Sequence, residues 1–235
     1  MDLWVIINKK ESRLKKALKL VLLFFFCERA GAEVVLFQDV QIPKVREIFD
    51  ENISKMLERG NLVIVHKKPS PELPLFVSAG TLINAPVEKV WNVITDFEKY
   101  PEFVAQVDEV KTKKVGEKEI AVTYHISFRF TVIKIKVQYT VLMRLTPPAD
   151  IWWSLKKDEK NDIEEAMGRW ELIPSGKNKT AAFYTIYSHL PSMGKLMRFF
   201  LKQEPHLELT IPVSTGSLMV EAIKRRVEEG YTKEK

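Results

Sequence analysis

Few groups in this 235-residue chain could act on a substrate, and they are scattered along it. Of its four histidines, His189 and His206 flank a segment at 191–204 and could form an acid–base pair with Asp and Glu residues nearby. His125 falls on the polar side of an alternating strand and reads as exposed, and His66 has no evident partner. Asp96, between Thr95 and Phe97, could serve as a general base or could cap or brace the turn between two helices. Glu164, Glu165 and Glu171 include side chains an even count apart on one strand, which puts carboxylates on one face; they read as solvent-exposed. Ser214-Thr215-Gly216-Ser217 has the look of a nucleophile or phosphate loop without its surrounding motif, and reads as a turn capping a helix.

No HExxH, P-loop, G-x-S-x-G elbow or dinucleotide fingerprint occurs. The single cysteine, Cys27, excludes an intrachain disulfide framework and a thiolate metal cluster. The sequence thus assigns no catalytic residue, no metal ligand and no cofactor. A formal charge of +6 suggests nucleic acid until it is divided: residues 1–32 carry seven basic and three acidic side chains, leaving 30 Lys and Arg against 28 Asp and Glu. That remainder offers no dense basic stripe, so nucleic acid is not an expected partner.

Aromatic residues are the better-stocked chemistry. Trp91, Phe97, Tyr100 and Phe103 sit in what read as two short helices, and Phe128, Phe130 and Tyr139 in a central hairpin. Trp152, Trp153, Trp170, Phe183, Tyr184 and Tyr187 belong to later strands. A cavity lined by some of them would hold a flat or isoprenoid apolar ligand by burial.

The elements that would position them follow from periodicity. Residues 44–59 read as an amphipathic helix stopped by Gly60, residues 61–68 as a strand, and the proline-rich 69–74 as a rigid connector. A strand at 75–84 leads into a helix with Pro86 in its first turn and Asn84 or Ala85 as its cap, and a second short helix follows Asp96. Strict alternation over 120–130 and 133–144 predicts an antiparallel hairpin in which Phe130 faces Ile133, Phe128 meets Ile135, Ile126 meets Val137 and Tyr124 meets Tyr139. Strands at 151–157, 163–173 and 180–190 follow. Residues 191–203 read as a short helix or apolar loop, Pro212 interrupts the chain, and 214–229 forms a closing helix with Leu218, Met219, Ala222, Ile223 and Val227 on its buried face.

The N-terminus has its own pattern. Six basic residues precede the apolar run 20–27, and Ala30-Gly31-Ala32 follows, the order of a secretory signal. This predicts a periplasmic or exported protein, membrane association included; the alternative is a cytoplasmic protein with an amphipathic or buried N-terminal helix. The expected organisation is 1–32 as signal or membrane-attached segment, 33–74 as a helix-strand extension, and 75–230 as the main domain.

Ile83-Asn84-Ala85-Pro86 through Val90-Trp91, then Asp96-Phe97, Tyr100-Pro101 and Phe103, resembles the opening of START-like proteins. The likeness is to the branch of polyketide cyclases/dehydrases and coenzyme-Q-binding proteins, and Gly168, Trp170, Leu172, Pro174, Thr180 and Tyr184 resemble that family's late strands. The resemblance implies an α+β helix-grip fold, a curved antiparallel sheet around a long C-terminal helix. It also implies binding or transfer of a lipid, isoprenoid quinone or polyketide-like molecule in an apolar cavity. On that ground the lining is expected from Phe128, Tyr139, Trp153, Trp170, Tyr184, Leu218, Met219 and Ile223, with Trp152 as an alternative to Trp153. Met193, Leu196, Met197 and Phe200, interleaved with Lys195, Arg198 and Lys202, would form a lid or touch a membrane surface. A cyclase or dehydratase, which needs a His, Asp or Glu facing the cavity, and a protein-interaction module using 44–68 and 191–204 are the other expectations.

Overall fold

The computed structural model describes residues 41–66, 74–130, 133–189, 195–204 and 206–230, without the side chains of 128–130, 133, 134, 196 and 197. The signal-like residues 1–32, the remainder to 40, and Met193 therefore lie outside the described residues. Eight antiparallel strands form one sheet: β1 (Leu62–Val65), β2 (Val77–Ile83), β3 (Val107–Lys114), β4 (Glu119–Phe130), β5 (Ile133–Thr146), β6 (Asp150–Leu155), β7 (Ala166–Pro174) and β8 (Thr180–Ser188). Their spatial order is β1-β2-β8-β7-β6-β5-β4-β3.

The β4–β5 hairpin adopts the register that alternation dictates, with Tyr124 opposite Tyr139 and Ile126 opposite Val137. Each pair puts apolar residues on one face, so a one-residue slip would expose them all. Strand β3 is the element that alternation misses. It is mostly charged, and its buried residues, Val107 and Val110, stand three apart. A register shift between Val107 and Glu109 turns both inward, as an extra residue in an edge strand does.

Among the described residues five α-helices accompany the sheet: α1 (Glu51–Arg59), α2 (Val87–Thr95), α3 (Tyr100–Phe103), α4 (Lys195–Gln203) and α5 (Leu207–Glu229). The stretch expected as one helix at 44–59 is a 3₁₀ turn, Val45–Glu47, followed by α1. Asp50 separates them because its carboxylate accepts from the Ile53 N–H at 2.9 Å and starts a new helix. Pro86, rather than Asn84 or Ala85, occupies the N-cap of α2. Asn84 is drawn away by Glu228, whose carboxylate accepts from its backbone and side-chain nitrogens at 2.6 and 3.0 Å.

Helix α5 begins seven residues before Ser214 and runs through Pro212. The proline forgoes one backbone bond early in the helix, and its ring is buried, which offsets that loss. Ser214–Ser217 consequently lies inside a helix and caps nothing. Gly216 lets α5 approach the sheet: a Cβ there would come within 3.1 Å of the Ala79 side chain on β2.

The two faces of the sheet are covered differently. On the inner face α5 packs across β2 and β8, while α3 packs on β3, around one core containing Ile94, Tyr100, Val122, Val141, Trp170 and Ile223. On the outer face Val45, Phe49, Ile53 and Leu57 make a second core with Ala181 and Phe183. Residues 45–65 thus cover the sheet and also extend it, through β1, and the proline-rich 69–73 lies outside the described residues. Among the described residues no helix is long and apolar enough to cross a membrane.

Candidate functional site

Between the inner face of the sheet and α5 a hollow of about 60 Å³ remains. Tyr124, Tyr139, Trp153, Trp170 and Tyr184 reach it from β4 to β8, and Tyr100 from α3. Strand parity aims these rings: Tyr124 and Tyr139 are cross-strand partners, as are Trp170 and Tyr184. Their ring centroids lie 5.6 and 4.7 Å apart respectively, and Trp153 stacks near Tyr184 at 6.2 Å. Trp153 can lie flat because β7 carries Gly168 beneath it; a Cβ there would fall 2.4 Å from the indole. Most of the wall is deeply buried, whereas Gln106, Ile126, Tyr139, Thr215 and Met219 retain partial exposure and mark the mouth.

Five of the residues expected in the lining do face the hollow: Tyr139, Trp153, Trp170, Tyr184 and Met219. Leu218 does not; it is 47% exposed on the outer side of α5, one residue round the helix from Met219. Ile223 is fully buried against the sheet and forms no part of the hollow's wall. The side chain of Phe128 lies outside the described residues, as do those of Leu196 and Met197. Trp152 points to the outer face, 36% exposed, with the Arg144 guanidinium 4.1 Å above its ring. Phe200 is half-buried on α4, edge-on to Phe199, and Lys195, Arg198 and Lys202 are exposed there.

Sequence reasoning missed Tyr100, Tyr124, Gln106 and Thr215 as wall residues. The hairpin register already placed Tyr124 beside Tyr139. Thr215 was hidden by reading its neighbourhood as a cap.

The polar groups elsewhere show other roles. Glu165 and Glu171 are buried rather than solvent-exposed, Glu171 because residues 45–46 fold over it; only Glu164 of the three is exposed. Glu171 accepts from the backbone N–H groups of Val45 at 2.6 Å and Arg46 at 3.2 Å. Burial pushes its carboxyl above the ordinary range, and those two bonds pull it back. Glu165 is reached by the Lys157 ammonium at 3.3 Å. Asp96 makes no capping bond with its side chain; its carbonyl accepts from the Lys99 N–H at 3.1 Å. His125 sits 3.7 Å from Glu109 at the sheet edge, and His206 is exposed at the start of α5. His66 shares a 2.7 Å hydrogen bond with Ser78, which continues at 2.6 Å to Thr185.

No histidine, carboxylate or lysine is among the described residues that line the hollow. Tyrosine is its only titratable type there. Burial raises the pKa of Tyr100, Tyr124, Tyr139 and Tyr184, so all four stay neutral hydroxyls at ordinary pH.

An antiparallel sheet gripping a long C-terminal helix over an aromatic hollow defines the helix-grip, START-like class. Residues 83–207 match the model of the family described as polyketide cyclase/dehydrase and lipid transport, and the chain belongs to that family. Among proteins of curated function none matches this sequence. A STAR-related lipid transfer protein from Xanthomonas axonopodis is similar in structure, with 16% identity, 72% of this chain and 94% of that one covered, and a TM-score of 0.52. A START superfamily protein from Mycobacterium smegmatis aligns at 16% identity over 66% of this chain and 99% of its own, with a TM-score of 0.50. The Zhui aromatase/cyclase from Streptomyces sp. R1128 aligns at 18% identity over 66% and 96%, with a TM-score of 0.49. At these identities the likeness is one of fold.

Proposed function

We propose that this protein binds an apolar small molecule between the sheet and α5, as a carrier rather than a catalyst. The observation that supports this reading is the wall itself: six aromatic side chains converge on one hollow whose described lining holds no acid–base group other than tyrosine. A cyclase or dehydratase working through a histidine or carboxylate has no such group to use among the described lining residues.

The hollow as it stands is closed around very little. At about 60 Å³ it is under half the roughly 150 Å³ of a cavity that admits benzene, and well below the roughly 300 Å³ at which drug-sized pockets begin. A lipid, quinone or polyketide-like guest therefore requires the mouth to widen, through Met219 and Thr215 on α5 and Gln106 at the start of β3. Met219 suits that role, being unbranched and readily re-posed. Export, with attachment at a membrane, is part of the same proposal and rests on the basic-apolar-small order of residues 9–32.

The test is organic extraction of natively purified protein followed by mass spectrometry. An apolar compound should co-purify near one per chain, and Met219→Trp, which plugs the mouth, should lose it. Absence of any extractable compound, together with no binding of the neutral fluorophore N-phenyl-1-naphthylamine, would overturn the reading.

A further inference from the structure

Three hydroxyls in the wall have no partner among the described residues. Tyr100 donates to the Ile94 carbonyl at 2.7 Å, but no hydrogen bond joins Tyr124, Tyr139 or Tyr184 to any described residue. Trp153 adds a buried indole N–H with no acceptor there. Tyr124, Tyr184 and Trp153 are each more than nine-tenths buried, and all four side chains face the hollow. Of the four donors only the Trp153 N–H is fully sealed, at a cost of about 1–3 kcal/mol for a buried polar group left unanswered; the three hydroxyls open onto the free space of the hollow, so whatever answers them has to enter it. Charge is missing from the same wall: no described lining residue is cationic or anionic. An ionised carboxylate or phosphate brought here would lose its hydration with no cation to receive it.

Resting on the reading that the hollow takes a guest, we infer that the guest is an uncharged, flat molecule that buries an oxygen acceptor, a ketone or comparable carbonyl oxygen, among the hydroxyls of Tyr124, Tyr139 and Tyr184. The aromatic walls receive the ring system, and the hydroxyls donate to its oxygen. Free fatty acids and the charged heads of phospholipids are excluded from this end of the hollow, whatever their tails do.

Three naphthalenes of similar shape test this by displacement of N-phenyl-1-naphthylamine from the full chain: 2-acetonaphthone (neutral acceptor), 2-ethylnaphthalene (no acceptor) and 2-naphthoate (anion). The ketone should compete best. Tyr124→Phe, Tyr139→Phe and Tyr184→Phe, which keep the rings, should each weaken the ketone by roughly fivefold, the worth of one neutral hydrogen bond. The hydrocarbon should compete unchanged or slightly better.

If the fluorophore binds and the hydrocarbon or naphthoate competes as well as the ketone, the inference fails while the carrier reading stands. If the fluorophore does not bind, the carrier reading itself is lost. The hollow could also hold roughly two to four waters in place of a guest. In that case the Phe variants would lose thermal stability without ligand and leave the ketone-to-hydrocarbon ratio unchanged, which overturns the acceptor assignment.

Discussion

The outer and inner faces of the sheet are built on opposite terms. Outside, Phe183 fills the notch left by Gly80, where a Cβ would stand 2.3 Å from the ring, and Phe49 closes edge-on at 5.9 Å. The polar groups under the cover at 45–46 are answered by the protein, whereas Arg144 Nη1 beside Trp152 has no hydrogen-bond partner among the described residues. Glu171 holds the 3₁₀ turn, Arg46 returns a bond to the Leu172 carbonyl at 2.9 Å, and Arg169 pairs with Asp150 at 3.0 Å. Inside, three tyrosine hydroxyls and an indole N–H face a gap without partners among the described residues. The contrast separates a cover meant to stay from a space with room for something exchangeable. Dense packing with satisfied polar groups fixes one arrangement, whereas under the proposed carrier reading the donors beside the void leave the last contacts to a guest.

The largest expected effect is on the packed face. Phe183→Ala should lower unfolding free energy by about 3–5 kcal/mol, measured by urea denaturation, because the second core loses its central ring. A loss under about 1 kcal/mol would mean that the cover contributes little and that the two faces differ less than their packing suggests.

Glu171→Ala comes next, at about 1–3 kcal/mol, since the N–H groups of Val45 and Arg46 lose their buried acceptor. Hydrogen exchange should rise over 45–59 and stay unchanged in β4 and β5. Glu171→Gln keeps one acceptor oxygen and should lose less.

A paired substitution sharpens the inner face. Tyr100→Phe removes a made hydrogen bond and should cost about 1 kcal/mol, while Tyr124→Phe removes an unmade one and should cost close to nothing. Equal losses by thermal melting would show that Tyr124 has a partner after all.

The smallest effect is a pH slope. Burial lowers the pKa of His66 below its ordinary 6.5, so the folded protein resists a proton that the unfolded chain accepts. Stability should be flat in this group above pH 6.5 and fall as pH drops from there toward the depressed folded value. His66→Gln should flatten that part of the profile relative to wild type. The difference should stay below about 1 kcal/mol, since the ring is only half-buried and solvent screens its charge. Parallel profiles would show that His66 does not couple protonation to folding.

Legibility in the sequence followed the range of the forces involved. The β4–β5 register was readable because side chains alternate with period two and a buried face punishes any slip. The aromatic supply was readable by counting, and the opening motif pointed to the fold. Strand β3 was not readable, since its two inward residues align only through a bulge that pairing with β4 creates. Nor was Trp153 separable from Trp152, because both neighbours are equally apolar and only the packed layer decides which side is inside.

The sequence by itself determined the strand alternation, the hairpin register, the stop at Gly60 and the absence of a recognisable catalytic motif. Those properties are local, fixed by backbone geometry and by the spacing of apolar residues. Tertiary structure alone decided that α5 runs through Pro212, that Glu171 is buried as an anchor, and that the hollow is small, with hydroxyls left unpaired among the described residues. Each of these depends on segments brought together from distant parts of the chain, where burial, volume and hydrogen-bond partners are set by packing that no local pattern encodes.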